Sequence, residues 1–123
     1  MAVRGASAVL LVAGRYVLQL RDEHAVRWPN QWGLFGGRIE PGESSFRAVV
    51  REIHEELELA LDAPKHLFDM DGVRIFKADV TEQWQRHVLH EGKAAGLFSF
   101  EEAMGLGLNA VTMAALRAAE EDR

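Results

Sequence analysis

Three glutamates, Glu52, Glu55 and Glu56, stand at i, i+3 and i+4 in a stretch with helical periodicity. On a wheel turning about 100° per residue they share one arc, together with the small residues Ser45 and Ala48. Like charges at this spacing destabilise a helix by roughly a few tenths of a kcal/mol, so the clustering calls for a reason. One reason is a solvated acidic face whose charge Arg47 and Arg51 offset. The other is a surface for hard divalent cations, which take oxygen ligands and bind phosphate oxygens in their remaining positions. Spacing alone leaves both open.

The preceding residues separate them. Gly37, then Glu43, then Arg51-Glu52-Ile53, then Glu55-Glu56 and Leu59 follow the layout G-x5-E-x7-R-E-U-x-E-E-x-G-U, where U is a bulky aliphatic residue. This resembles the Nudix box. Every charged position matches, as do the first glycine and both aliphatic positions; Glu58 stands where the second glycine belongs. The approach segment, residues 32–43, is also similar to the family, with Phe35 where many members carry proline. A weaker likeness reaches Glu91-Gly92 and residues 98–103, so the resemblance covers most of the chain.

The resemblance implies a hydrolase of phosphoanhydride bonds in nucleoside-diphosphate-type substrates, with Mg²⁺ as cofactor and Mn²⁺ as a substitute. Glu52, Glu55 and Glu56 would hold the metal with the Gly37 carbonyl, where glycine lets the backbone approach closely. Arg51 would pair with Glu43 to brace the loop against the helix, and it counts with Glu52 and Glu55 among the catalytic candidates. A general base is still needed. A box glutamate is one option; Glu91, a further metal-ligand candidate, and Glu82 are the options on a later loop. The competing reading is a Nudix fold that binds a nucleotide or a regulatory partner without hydrolysis; the intact charged positions count against it.

Substrate markers are thinner. The downstream residues that mark ADP-ribose, diadenosine-polyphosphate, coenzyme A and NADH hydrolases in this family are missing. What remains is similar to the short MutT-like group acting on nucleoside triphosphates. Candidate substrate contacts are Trp28, Arg38, Phe76 and Asn109. Phe76 offers a ring for a base, and Trp28, Trp32 and Phe35 offer an aromatic wall. Asn109 stands where that group reads the base, but equally suits an N-cap for a helix beginning at Ala110.

These residues need elements to position them. Residues 7–13 and 16–20 read as strands joined by a turn at Gly14-Arg15. Residues 32–35 form a short apolar run, and 38–42 a loop. A helix is expected from about Ser44, capped by Ser44 or Glu43, to Leu57, with Phe46, Val49, Val50, Ile53 and Leu57 as its core stripe. Glu58 either continues that helix or takes a left-handed conformation costing about 1 kcal/mol. Residues 67–70 and 73–80 flank Asp71-Gly72 as a hairpin. Val88-Leu89 reads as a short strand, 97–100 as the last strand, and 101–104 and 110–121 as helices. Together these predict an α/β fold, a Nudix-type α/β/α sandwich around a mixed β-sheet, as one domain over residues 1–123.

Composition sets outer bounds. The chain has 123 residues, 48% hydrophobic and 27% charged, which is ordinary for a globular domain. Its net charge of -5 argues against binding duplex nucleic acid, which needs a basic face. It has no cysteine, which excludes thiolate chemistry and disulfides. The five histidines show no metal-site spacing within one helix. No stretch approaches a membrane span or a signal peptide, so a cytoplasmic protein with a small nucleotide-like partner, monomeric or homodimeric, is expected.

Overall fold

The structure, a computed structural model, describes residues 2–123. It contains strands β1 (Gly5–Val12), β2 (Arg15–Leu20), β3 (Trp32–Gly33) and β4 (Phe35–Arg38) before the first helix, α1 (Ser45–Leu57). Strands β5 (Lys65–Met70), β6 (Val73–Asp79) and β7 (Ala94–Phe98) follow, then α2 (Phe100–Met104) and α3 (Ala110–Glu121). The seven strands make one mixed sheet: β1 pairs antiparallel with β2 and β4 and parallel with β6. The β5–β6 hairpin turns through Asp71 (φ 53°) and Gly72 (φ 78°), the positive dihedrals that a two-residue primed turn needs.

Strand β1 shows why the molecule has three layers. Ala6, Ala8, Leu10 and Val12 belong to one core cluster with Val49, Ile53 and Leu57 of α1. Val9 and Leu11, on the opposite face, pack with Ala115, Leu116 and Ala119 of α3. Side chains alternate across a strand, so an unbroken apolar run feeds both cores at once. The α/β/α sandwich follows directly. No helix among the described residues is long and apolar enough to cross a membrane.

The sheet forks where the site lies. Along one edge, β1 pairs through Leu10–Val12 with β2 and through Gly5–Ala8 with β4. Residues 32–38 therefore cross from β2 to β1, with Leu34 at the step. The loop expected from residue 38 begins one residue late, because Arg38 still pairs with Gly5.

Other expectations change for tertiary reasons. Val88-Leu89 is not a strand: the Val88 and His90 amides donate to the Leu57 and Glu56 carbonyls at 3.0 and 2.8 Å. They satisfy carbonyls that a helix end leaves unpaired. The last strand ends at Phe98, because Ser99 caps α2 in a reciprocal box with Glu102. On α1, Phe46 is 46% exposed while Ala48 is buried, so the buried face is rotated toward the glutamates. Phe76 is 3% exposed and set edge-on to Phe46; it is a core residue and offers no face to a base.

The position of the missing glycine is resolved in the left-handed sense. Glu58 ends α1 at φ 57°, ψ 33°, its amide donating to the His54 carbonyl, and its carboxylate meets His90 Nε2 at 2.5 Å. An exposed pair of this kind contributes well under 1 kcal/mol, whereas the left-handed conformation costs roughly 1–2 kcal/mol for a residue with a Cβ. Glu58→Gly should therefore raise unfolding free energy in urea by about 0.5–1 kcal/mol. Destabilisation by the same variant would show that the His90 contact outweighs the strain.

Candidate active site

The site begins with two glycines on β4. Gly36 has φ 151°, and a Cβ there would run into the Ala6 carbonyl and the Ser7 side chain. A Cβ on Gly37 would lie 2.5 Å from the Glu52 carboxylate. Only glycine lets α1 lie this close to β4. The Gly37 carbonyl oxygen faces the Gly5 side of the strand, 3.2 Å from where a Cβ on Gly5 would sit.

Helix α1 starts at the expected cap, with the Ser44 hydroxyl accepting from the Arg47 amide at 3.1 Å. Glu43 is thereby free for Arg51, which grips it with two bonds of 2.7 and 2.9 Å. The same guanidinium donates to Glu52 at 2.9 Å, to Glu55 at 3.3 Å and to the Arg38 carbonyl at 3.0 Å. The pairing holds the Glu43 carboxyl down at about 2, mainly through its hydrogen bonds from Arg51. All five N–H groups of Arg51 are thus engaged within the chain. Arg51 has no donor left for a substrate in this arrangement, which agrees with the bracing of the loop by Glu43 and Arg51 that the box resemblance implies.

The three glutamates of the helix differ sharply in burial. Glu55 is exposed, Glu52 half-buried, and Glu56 only 6% exposed. The Glu56 carboxylate accepts the Gly36 amide at 2.9 Å. Burial pushes its pKa up to about 8, helped by the negative charges of Glu52, Glu91 and Glu55 and opposed by the Gly36 amide. A wheel separates the acidic arc from the apolar stripe, whereas Glu56 is buried, with the Gly36 amide on its carboxylate and the His90 amide on its carbonyl.

Glu91 joins this group through its loop. The His90 amide bonds the end of α1, and the Glu91 charge is felt at Glu56. Glu82 lies elsewhere, beside Asp62, Asp79 and Thr81. The Asn109 side chain caps α3, accepting the Thr112 amide at 2.9 Å. Trp28 is partly exposed and stacked under the Arg27 guanidinium at 4.6 Å. Arg38 lines a cavity whose wall includes Gly36 and Gly37. Arg4, Arg21 and Arg27 line it too, and sequence reasoning missed them because they are scattered in polar segments of unremarkable composition.

Among the described residues no three acidic or histidine side chains already converge at ion-holding distance. Glu52 and Glu55 lean on Arg51, and Glu56 on Gly36. The donor types nevertheless suit a hard cation: Glu52 lies against Gly37, Glu56 against Gly36, and Glu56 is pushed up by burial and by the charges of Glu52, Glu91 and Glu55. A divalent ion would relieve the repulsion that raises Glu56.

Comparison with known proteins agrees with this reading of the box. A protein-family model described as NUDIX domain matches residues 1–121. The chain is 39% identical over 75 residues to "Nucleoside triphosphatase NudI" of Enterobacter sp. (strain 638), covering 57% of this chain and 52% of that protein. It is 49% identical over 45 residues to the NudI of Escherichia coli O1:K1 / APEC, covering 36% of this chain and 31% of that protein. The chain thus spans about half the length, or less, of these curated relatives. Among solved structures, a MutT NUDIX hydrolase from Burkholderia pseudomallei superposes with a TM-score of 0.73 at 26% identity, over 96% of this chain and 98% of that one.

The raised Glu56 group makes stability depend on pH. Folding binds its proton more tightly than the unfolded chain does, so its stabilising contribution is complete below pH 4.5 and lost as pH rises through about 8. Without divalent metal, Glu56→Gln should melt above the wild type at pH 8 and higher, with the gap closing toward pH 4.5. Superimposable melting curves across that range would contradict the burial argument.

Proposed function

The chain belongs to the Nudix family, and on that premise we propose that residues 1–123 form one Nudix hydrolase domain cutting a phosphoanhydride bond in a nucleoside-diphosphate-type substrate. The lean is toward nucleoside triphosphates, supported by the name of its NudI relatives. The observation that carries the reading is the close approach of Glu52 to Gly37 and of Glu56 to the Gly36 amide, with Glu56 pushed up to about 8 by burial and by the charges of Glu52, Glu91 and Glu55.

Mg²⁺, with Mn²⁺ as substitute, would be held by Glu52, Glu55, Glu56 and Glu91, with the Gly37 carbonyl as a further oxygen; such an ion neutralises phosphate charge and acidifies a bound water. The chain's own residues supply the rest. Arg51 fixes Glu52 and Glu55 relative to β4 and to the 38–43 loop. The Gly36 amide orients the Glu56 carboxylate. Glu91 lies on a loop that two backbone bonds pin to the end of α1, and it accepts the proton of the attacking water at its carboxylate. A net charge of -5 favours small nucleotides over duplex nucleic acid, and a cytoplasmic setting suits such a substrate.

The test is phosphate or pyrophosphate release across a panel of nucleoside triphosphates and diphosphate derivatives with Mg²⁺. Glu91→Gln should lower kcat by about 10²–10⁴-fold with KM little changed, as removal of a general base does. Wild-type protein that binds nucleotides but turns over none of the panel would replace this reading with that of a non-hydrolytic binder.

A further inference from the structure

Arg4, Arg21, Arg27 and Arg38 line a single cavity of about 280 Å³ against β4. Arg4 precedes β1, Arg21 and Arg27 belong to the loop between β2 and β3, and Arg38 ends β4. Three separate stretches of chain therefore bring arginines to the wall of one cavity. Of the other arginines, Arg15, Arg51, Arg74 and Arg123 have acidic partners, while Arg47, Arg86 and Arg117 stand unpaired among the described residues and scattered rather than gathered at one cavity. None of the four around the cavity forms an ion pair among the described residues.

Their remaining contacts leave the charge uncompensated. Arg21 Nε donates to the Arg27 carbonyl at 2.7 Å, and Arg27 covers the Trp28 ring. Arg4 lies over the β5–β6 turn, with Nη2 3.0 Å from where a Cβ on Gly72 would sit. Asp71 is the one acidic residue of the lining. Unpaired cations gathered in an otherwise acidic chain repel one another unless an anion joins them. Guanidinium forks match phosphate oxygens, and the lining has no aromatic ring on which a base would stack.

Gly37 links the cavity to the glutamates, since it lines the cavity while resting against Glu52. We propose that the cavity is a second phosphate subsite, holding a phosphoryl group that the substrate carries apart from the anhydride being cut. The substrate class is then a nucleotide phosphorylated at two places, an assignment that rests on the hydrolase reading above for the rest of the molecule. The anhydride lies on the carboxylate side of Gly37 and the additional phosphate on the arginine side.

Calorimetric binding in the absence of divalent metal tests the subsite separately from catalysis. The probes are inorganic pyrophosphate, a nucleoside 5′-triphosphate, and the same nucleotide bearing a 3′-phosphate. Wild type should bind pyrophosphate, and should bind the 3′-phosphorylated nucleotide about tenfold or more tightly than its parent, the worth of one charge-assisted contact. Arg4→Gln/Arg27→Gln should lose both the pyrophosphate affinity and the preference, while the distant Arg117→Gln keeps them. The single variant Arg27→Gln, in an exposed loop, should reduce the preference even if the double variant folds poorly. Equal affinity of the wild type for the two nucleotides, or an undiminished preference in the arginine variants, would overturn the proposal. Failure of turnover would instead strike the hydrolase reading and leave these affinities to decide the subsite.

Discussion

The guanidinium of Arg51 is the contact on which the site depends. Among the described residues it is the one cation paired with Glu40, Glu43, Glu52 and Glu55, and it satisfies the Arg38 carbonyl as well. Remove it, and the loop before α1, the end of β4 and the first acidic turns of the helix lose their common partner. Arginine suits the task because its planar fork serves several acceptors at fixed angles while staying charged. Its engagement also sets a division of labour. Arg51 positions carboxylates, and substrate charge must be met by other groups.

Glycine makes that arrangement possible. Gly37 lets Glu52 close on β4, and Gly36 turns its amide to Glu56. The result is a carboxylate buried among carboxylates, a costly arrangement in a chain that already carries excess negative charge. Cost of this kind is typical of functional sites, where groups are kept in environments that perturb them. The opposite sign prevails on the other side of the same glycines, where unpaired arginines gather. The backbone of β4 thus separates an acidic face from a basic cavity.

Much of this was legible in the sequence, because its signals are local. Ser44 as a cap, Asp71-Gly72 as a turn and the onset of α3 after Asn109 depend on neighbours a few residues away, and the structure places them as expected. The box residues come together because a helix fixes their spacing. Long-range features were not legible. The crossing of residues 32–38 from β2 to β1 follows from a fork in the sheet. The 88–90 segment looked like a strand because its amides do pair, but with the end of a helix. Phe46 and Phe76 show the same limit: periodicity made one a core residue and aromatic character made the other a base platform. Packing against the rest of the sheet reverses both.

The proposed cation site depends on Arg51 and the two glycines to hold Glu52, Glu55, Glu56 and Glu91 near one ion. Titration with Mn²⁺, followed by paramagnetic broadening of backbone amide signals in nuclear magnetic resonance spectra, tests it most directly. Gly36, Gly37, residues 52–56 and Glu91 should broaden first and together, and Arg51→Lys should weaken and scatter the effect. Broadening that begins around Asp62, Asp79 and Glu82, or spreads evenly over the acidic surface, would contradict it.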